Sequence, residues 1–442
     1  MMAEADMGIW NRTAECLDPE ERAQQQLERL QSTLNRAYRN VPFYRNRFQT
    51  RGFDPAQIES FADLPLIPFT EREHFSENYP YGLFAVPLRD IVRIHTAPGT
   101  ALHPTVSGYT KQDLAVWREL VARSLSAAGV TAHDVLQIVL DPGLANWGRD
   151  YKDGAETIEA GVIPLTMLPH EKQLMIICDY KTSVLITSPS AAIQLLHLLF
   201  QTNLNPNVLA LKTLVLVGEP PDPSMRAQLA EQLHVKTWVH YGLSEVPGPA
   251  LAFECASRYG LHVSEDHFLP EIIDPETGQV VPDGEGGELI LTSLTTRAFP
   301  LIRFRTGDRA RFFTDACPCG RTLRRMEWFP ERSDEMVVVR GVKLHHRQIL
   351  LLLERVLGVL PETYRLLAVR QELEDYLEVW LAIDDAIFSD EIKELERLIR
   401  KIRLELGQEL GVPVNVRLKE RSSLGAPSSV PSIIDLRSKD SR

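Results

Sequence analysis

Short apolar runs alternate with amphipathic helical segments between about residues 90 and 310, and this alternation limits the fold more than any other feature. Three of the runs are VLQIVL at 135–140, SVLIT at 183–187 and TLVLV at 213–217. Each run is short, rich in β-branched residues and bounded by turn residues or a helical segment, which favours buried parallel strands. The sequence therefore predicts an α/β layer in which helices cover a largely parallel sheet.

The pattern changes near residues 330–340, where a smaller α+β unit is predicted to begin. The elements predicted for this unit are a helix at 347–357, strands at 364–369 and 377–383, a helix at 392–406 with Ser389 as its cap, and a strand at 414–418. The Ser-, Pro- and Gly-rich stretch at 422–432 is predicted to be a loop. We therefore expect two domains, residues 1–333 and residues 334–442.

Composition narrows the classes of partner and the compartment. The chain has 48 Lys and Arg against 60 Asp and Glu, a formal charge of −12, which argues against nucleic acid or an anionic membrane as the main partner. No apolar run reaches the roughly 18 residues that span a bilayer. The acidic start lacks the layout of a secretory signal, and five cysteines in 442 residues are too few for a disulfide framework. We therefore expect a cytoplasmic protein without a membrane partner.

The segment YGLSE at 241–245 is a candidate binding motif. It follows an apolar stretch at 236–240, so the residues alone indicate a strand that ends in a turn, with an aromatic ring and a carboxylate at the edge of that turn. A second candidate is FRTGD at 304–308. Its spacing alone leaves three alternatives open for Asp308: a ligand contact, a turn cap, or an ion pair with Arg305 or Arg309.

Several further motifs stand in a fixed order along the chain. They are VPFYR at 41–45, the segment from DGAE at 153–156 to VIP at 162–164, GEP at 218–220 followed by Met225 and Arg226, YGLSE at 241–245, FRTGD at 304–308, RSDEM at 332–336 and RGV at 340–342. In this order and spacing the chain resembles the phenylacetate–CoA ligase branch of the adenylate-forming (acyl-CoA synthetase) superfamily, from about residue 25 to residue 437. The resemblance implies an α/β fold with a large N-terminal domain of several subdomains and a small, mobile α+β C-terminal domain.

The resemblance also implies a nucleotide site and its substrates. The residues implied to bind the nucleotide are Gly99, Thr100, Gly218, Glu219, Tyr241, Gly242, Ser244, Glu245, Asp308 and Arg332. Tyr241 would lie against adenine, and Asp308 and Arg332 would bind the ribose. The implied catalytic residues are Glu245, which would hold Mg²⁺ on the phosphates, and Asp334, the hinge about which the small domain swings. The implied ligands are a small carboxylic acid, ATP or AMP, Mg²⁺ and CoA, and a homodimer is expected.

Three cysteines and a histidine form a candidate metal site. Cys317 and Cys319 lie on one tight CPCG turn, and Cys255 and His262 lie seven positions apart upstream. This ligand set suits a closed tetrahedral structural Zn²⁺ site, and the same set recurs in some members of the family that the chain resembles. The alternative is a pair of reduced surface thiols beside a hydrogen-bonded histidine.

The phosphate-binding loop departs from the family pattern, which is close to SSGTTGKPT. This chain reads APGTALHPT at 97–105, so Gly99 and Thr100 remain. Pro98 removes a backbone donor, and Leu102 replaces a glycine that permits positive φ. His103 stands where the family has a lysine. We expect this loop to hold a triphosphate poorly.

A second departure lies near the C-terminus, where the family carries a lysine that bridges the carboxylate and the α-phosphate during adenylation. Counting back from Asp435 places Ser429 at that position. His345 and His346 also replace the Phe-Pro pair near the face that accepts CoA. The sequence therefore predicts an acyl-CoA ligase-like protein with impaired adenylation. The alternatives are a pseudoenzyme that binds nucleotide or acyl-CoA, and a partial catalyst that transfers an adenylate made elsewhere to CoA.

Overall fold

The structure is a computed structural model, and it describes most of the chain. The described residues are 8–97, 103–141, 144–164, 168–246, 248–371, 374–382, 392–424 and 433–437. The helices are α1 (Arg12–Glu15), α2 (Pro19–Asn40), α3 (Pro42–Arg51), α4 (Glu73–Glu77), α5 (Lys111–Ala127), α6 (Ala145–Thr157), α7 (His170–Asp179), α8 (Pro189–Gln201), α9 (Pro223–Leu233), α10 (His346–Leu357), α11 (Ile392–Leu410) and α12 (Arg421–Leu424).

The strands divide between a large sheet and several small ones. They are β1 (Arg93–Ala97), β2 (Thr105–Tyr109), β3 (Val135–Val139), β4 (Gly161–Ile163), β5 (Val184–Thr187), β6 (Thr213–Val217), β7 (Lys236–Tyr241), β8 (Ala252–Glu254), β9 (Leu261–Val263), β10 (Phe268–Ile273), β11 (Gly287–Ser293), β12 (Phe304–Phe312), β13 (Arg325–Arg332), β14 (Met336–Val339), β15 (Val342–His345), β16 (Tyr364–Gln371), β17 (Glu374–Ala382), β18 (Val414–Lys419) and β19 (Ile434–Asp435).

An eleven-stranded sheet forms the centre of the large domain, in the order β10-β11-β12-β13-β9-β8-β7-β6-β5-β3-β4. Strands β3 to β7 pair in parallel, as the apolar runs predicted. All five residues of β6 are buried, which explains why its sequence is continuously apolar rather than alternating. From β7 onward the neighbours pair antiparallel, so the sheet is mixed and more than half of its strands lie beyond the predicted parallel layer.

Helix α2 shows how the N-terminal segment is ordered against this sheet. Asp18 caps the helix by accepting hydrogen bonds from the backbone N–H groups of Glu20 and Glu21. The apolar stripe that includes Leu30 and Leu34 is fully buried in the main core. The helix ends at Asn40, and Val41 caps it ahead of Pro42.

The small C-terminal unit has its own core. Strands β16 and β17 form an antiparallel pair flanked by β18 and β19, which pair in parallel, and α10 and α11 contribute apolar residues to the same core. The predicted helix at 347–357 and the strands at 364–369 and 414–418 are confirmed, whereas Ser389 and Ile383 lie outside the described residues. The tail prediction is wrong at its start, because residues 422–424 belong to the short helix α12.

The core of this unit draws its buried residues from positions 337–414, whereas the main core lies before residue 327. The predicted boundary between residues 333 and 334 stays a prediction. Among the helices within the described ranges, none combines the length and the apolar character needed to cross a membrane.

Candidate nucleotide site and candidate metal centre

Three residues of the predicted nucleotide site come together from strands β7, β12 and β13 of the large sheet. Tyr241 is the last residue of β7, and Asp308 in β12 is the direct cross-strand partner of Arg332 at the end of β13. The Tyr241 hydroxyl donates a 2.8 Å hydrogen bond to Asp308 Oδ2, and Arg332 Nη1 contacts Asp308 Oδ1. The sequence motifs YGLSE, FRTGD and RSDEM are therefore assembled into one buried cluster.

The charges of this cluster are paired. Burial alone would raise the pKa of Asp308, but the cations of Arg332 and Lys343 outweigh it and lower that pKa to about 2. Arg332 also donates to both oxygens of Asp334, at 2.7 and 2.6 Å, and to the Thr306 carbonyl at 2.9 Å. Asp308 is therefore ionised at neutral pH, and Arg332 links it to the predicted hinge residue.

Tyr241 is held in place by close packing. Its side chain is fully buried, and the ring of Trp328 packs edge-on against it at 4.8 Å between centroids. Burial and the neighbouring Asp308 carboxylate raise the pKa of the phenol above its usual value, so it remains a hydrogen-bond donor. The predicted contact of Tyr241 with adenine stays a prediction.

Glu245, the predicted magnesium ligand, lies buried in the turn after β7. Arg72 Nη1 contacts its Oε1 atom, while Oε2 has no hydrogen-bond partner among the described residues. Arg72 also donates to the Thr306 carbonyl at 3.1 Å and lies over the ring of Phe304. A buried carboxylate oxygen without a partner is unfavourable unless a ligand completes it, so the Oε2 atom of Glu245 fits a Mg²⁺ ligand.

Gly218 and Glu219 directly follow β6. Glu219 accepts hydrogen bonds from the backbone N–H and the hydroxyl of Ser190, at 3.1 and 2.5 Å, at the start of α8. Gly218 has φ of 89°, and a Cβ atom there would meet Leu144 and Gly341. The glycine thus permits the close approach of the β14–β15 hairpin of the small unit.

The remaining predicted nucleotide residues are in the YGLSE turn and the phosphate-binding loop. A Cβ atom on Gly242 would lie 2.7 Å from the Gly248 carbonyl, so the turn needs a glycine there, and Ser244 is half-buried beside it. Gly99 and Thr100 lie outside the described residues. His103, just after them, is exposed and stacks on Tyr79, with ring centroids 4.5 Å apart.

A cleft with about 620 Å³ of empty volume opens beside this cluster. It extends from Arg72 past Gly307 to Asp334 and His345, so it separates the large domain from the small unit. Its walls carry both signs of charge, and the acidic residues outnumber the basic ones. His345, one of the two histidines that replace the family's Phe-Pro pair, therefore lines the same cleft as Asp334, the predicted hinge residue.

Two charged residues of the cluster were missed by the sequence reasoning. Lys343 of β15 lies 3.1 Å from Asp308 Oδ2, and Arg72 contacts Glu245. The alternation of β15 could have indicated Lys343, because Val342 and Leu344 are buried on the opposite face of the hairpin. Arg72 lies in an irregular segment ahead of α4, and we find no sequence signal that connects it to the site.

The four candidate metal ligands are brought together. Cys255 follows β8, His262 lies in β9, and Cys317 and Cys319 lie in the turn between β12 and β13. Their ligand atoms all lie within 4.8 Å of one another, with 3.5 Å between the sulfur atoms of Cys255 and Cys317. A tetrahedral Zn²⁺ separates its ligand atoms by roughly 3.3–3.8 Å.

The surroundings of His262 suit the same site. Its Nδ1 atom lies 3.0 Å from the Leu323 carbonyl, so that Nδ1–H donates to this carbonyl, and Nε2 lies 3.4 Å from Cys319 Sγ. Cys255, His262 and Cys319 are buried and Cys317 is half-buried. Four ligands without an open position are the arrangement of a structural zinc site, and the residues fit the ion that the sequence suggested.

Two family models match the chain. A model described as AMP-binding enzyme matches residues 159–296, and one described as AMP-binding enzyme C-terminal domain matches residues 341–437. Curated relatives cover nearly the entire length. The chain is 38% identical to a phenylacetate-coenzyme A ligase of Thermus thermophilus over 406 residues, covering 89% of this chain and 90% of the relative. It is 37% identical to that of Aromatoleum evansii, covering 91% and 93%.

Solved structures share the fold at lower identity. A 2-hydroxyisobutyryl-CoA ligase in complex with 2-HIB-AMP and CoA in the thioesterification state superimposes with a TM-score of 0.90 at 24% identity, covering 99% of this chain and 94% of that chain. The same protein in the postadenylation state, at the same coverage, gives a TM-score of 0.71. Because the sequence and coverage are the same in both, the two scores differ through the arrangement of parts. With the family models and relatives above, the chain belongs to the adenylate-forming superfamily and, within it, to the phenylacetate–CoA ligase family.

Proposed function

We propose that this chain is an AMP-forming acyl-CoA ligase-like protein that joins a small or aryl carboxylic acid to CoA, with a weakened adenylation step. The observation that carries the proposal is the buried cluster of Tyr241, Asp308 and Arg332, which would receive the nucleotide. Asp308 is ionised and its neighbours are hydrogen-bond donors, which suits charge-assisted pairing with two adjacent ribose hydroxyls.

The residues of the site would have separate roles in the two half-reactions, adenylation of the acid and transfer of the acyl group to CoA. Tyr241, Asp308 and Arg332 would hold the nucleoside in place, so that the acyl-adenylate is positioned for attack by the CoA thiol. Glu245 would hold Mg²⁺ through its free Oε2 atom, and the ion would neutralise phosphate charge when bound. In the second half-reaction the CoA thiol would lose its proton to water, its sulfur would form a bond to the acyl carbon, and AMP would leave with the electron pair of the broken bond between the acyl carbon and the phosphate oxygen.

The arrangement of the small unit favours the second half-reaction. Gly341 approaches Gly218, and the cleft between Arg72 and His345 would give a thiol access to the site. This arrangement is nearer to the thioesterification state of the 2-hydroxyisobutyryl-CoA ligase than to its postadenylation state. Because the hinge at Asp334 would turn the small domain between the two half-reactions, we propose a division of the chain at residues 333 and 334.

The impairment of adenylation rests on two positions of the sequence. Ser429 carries no charge where the family has a lysine, and His103 replaces the lysine of the phosphate-binding loop. Loss of one preorganised contact to a developing charge typically lowers a rate by roughly 10²–10³. A second candidate function, a pseudoenzyme that binds nucleotide or acyl-CoA as a sensor or scaffold, is favoured by the same two positions.

Three further features belong to the proposal. Zn²⁺ bound by Cys255, His262, Cys317 and Cys319 would pin the turn between β12 and β13 to β9. A homodimer follows from the resemblance, and a cytoplasmic location follows from the composition. Phenylacetic acid is the first acid to test, because curated relatives at 36–39% identity are named phenylacetate-coenzyme A ligase.

Acid-dependent exchange of pyrophosphate into ATP tests the weakened step. The wild type, Ser429→Lys and His103→Lys would be compared, with Ser428→Lys as the matched control that adds the same charge one position away. We expect little exchange in the wild type and in Ser428→Lys, and roughly tenfold or more in Ser429→Lys. Exchange by the wild type as fast as by Ser429→Lys would overturn the claim of impairment. Absence of nucleotide binding in all four proteins would overturn the ligase proposal.

A further inference from the structure

Lys343 reaches across from the small unit into the nucleotide cluster. It lies in β15, and its ammonium is 3.1 Å from Asp308 Oδ2 of the large domain. The side chain of Asp308 is 4% exposed and that of Lys343 is 18% exposed, so the contact is largely shielded from water. An ion pair in such a place depends on its geometry, because both charges lose hydration.

The oxygens of Asp308 can be accounted for one by one. A carboxylate has two acceptor sites on each oxygen. Arg332 uses one site on Oδ1, and Tyr241 uses one site on Oδ2 at 2.8 Å. One site on each oxygen would then remain, which is what a pair of adjacent hydroxyls requires. Lys343 uses the remaining site on Oδ2.

We propose that Lys343 competes with the ribose hydroxyls for Asp308 and thereby sets the affinity of this chain for its nucleotide. The inference rests on the proposed function, since it takes Asp308 as the ribose acceptor. In the arrangement observed, a nucleotide gains its second ribose contact only after Lys343 has left the carboxylate. The contact ties nucleotide release to the position of the small unit, because Lys343 belongs to the β14–β15 hairpin beyond the hinge.

Lys343 is an occupant that a ligand can displace. Arg332, Arg72 and Asp334 also face it, so the ammonium shares a small space with two guanidinium groups and two carboxylates. Burial lowers the pKa of Lys343 to about 7 in spite of Asp308. The ammonium is therefore better solvated in water than in this place, and its departure recovers hydration.

Titration calorimetry with two nucleotides tests the inference on the full chain. AMP and 2′,3′-dideoxy-AMP differ only in the ribose hydroxyls, so the ratio of their affinities reports the contact with Asp308. Wild type, Lys343→Met and Lys343→Arg would be compared. Lys419→Met is the matched control, because that lysine lies over Trp380 in the small unit. We expect Lys343→Met to prefer AMP roughly tenfold more than the wild type does.

The controls separate competition from other roles. Lys343→Arg keeps the cation and should resemble the wild type, as should Lys419→Met. Near-UV circular dichroism would show that Lys343→Met is folded, and Lys343→Gln replaces it if it is not. An unchanged preference for AMP, or weaker AMP binding by Lys343→Met, would overturn the inference and leave the ligase proposal standing. No binding of AMP by any variant would overturn both.

Discussion

Tyr241 and Asp308 stand 67 positions apart in the chain and are joined by a 2.8 Å hydrogen bond in the interior of the large domain. Both side chains are buried, so neither exchanges its partner for water without disturbing the core. The bond ties the turn after β7 to β12, and Arg332 extends it to the predicted hinge.

Removal of the Tyr241 hydroxyl should destabilise the protein more than removal of a comparable buried hydroxyl. Tyr151 is the matched residue, because it is also fully buried and its hydroxyl lies 2.9 Å from the neutral ring of His240. We expect Tyr241→Phe to lower the free energy of unfolding by about 2 kcal/mol and Tyr151→Phe by about 1 kcal/mol, since bonds to charged acceptors are stronger. Urea unfolding measures both, and equal losses would contradict the prediction.

Replacement of Arg332 should lower the free energy of unfolding more than replacement of an exposed arginine. Its side chain is 5% exposed and it pairs with both Asp308 and Asp334, so Arg332→Met takes a hydrogen-bonded cation from two carboxylates and leaves Asp308 with Lys343 alone. We expect a loss of roughly 3–5 kcal/mol in the free energy of unfolding. Arg311→Met is the control, because Arg311 is 43% exposed and pairs with Glu327 on the surface. A loss below about 1 kcal/mol is expected there, and the same loss in both variants would contradict the account.

Replacement of Arg72 should make the protein depend more strongly on Mg²⁺. In Arg72→Met the buried Glu245 carboxylate loses its partner cation. A bound divalent ion then replaces the missing cation beside Glu245. We therefore expect Mg²⁺ to raise the melting temperature of Arg72→Met by roughly 2–4 °C more than that of the wild type. Thermal unfolding measures the difference. The double variant Arg72→Met, Glu245→Gln should lose it, and a shift that persists there would place the ion elsewhere.

The purified protein should contain about one zinc ion per chain, held by the three cysteines and His262. Cys319→Ser and His262→Ala should lose the metal and melt at a lower temperature. A chelator should lower the melting temperature of the wild type in the same way, since binding of the ion stabilises the folded state. Cys178→Ser is the control, because Cys178 is a free thiol on α7 outside the ligand set. Elemental analysis that finds zinc retained in Cys319→Ser would contradict the assignment.

Binding of adenosine should take up a proton above neutral pH if ribose displaces Lys343. In the free protein the pKa of Lys343 is lowered to about 7 by burial, whereas a displaced lysine returns toward 10.5. The bound state then has the higher pKa, so it is favoured at low pH, and affinity should fall as the pH rises from about 7 to about 9. Calorimetry in buffers of different ionisation enthalpy measures the number of protons taken up on binding, and Lys343→Met should take up none. Adenosine carries no phosphate that titrates in this range.

The parallel half of the sheet could be predicted because its strands are buried on both faces. VLQIVL and TLVLV contain few polar residues, and this property depends only on local sequence. The antiparallel half was not predicted, because strands such as β8 and β9 have three residues each and carry no period that a sequence window resolves. Pairing of β9 with the distant β13 is a long-range contact that local patterns do not encode.

Motif residues of the site could be predicted because the resemblance assigns each by position. Tyr241, Asp308 and Arg332 were named in this way, and the structure brings them together. Lys343 and Arg72 escaped prediction, since their importance arises from where the folded chain brings their charges. The contact of Lys343 with Asp308 depends on how the small unit lies against the large domain, which no local pattern specifies. The role of Asp334 as a hinge comes from the resemblance alone and stays a prediction.

The most direct measurement compares the two half-reactions in a single preparation. Synthetic phenylacetyl-adenylate and CoA would be mixed with excess protein, and the rate of thioester formation compared with acid-dependent pyrophosphate exchange. The account predicts thioester formation that depends on Asp308, with exchange slower by roughly two orders of magnitude or more. Exchange as fast as thioester formation would contradict the weakened adenylation step. Absence of thioester formation from phenylacetyl-adenylate and from a series of short-chain acyl-adenylates would contradict the ligase assignment itself.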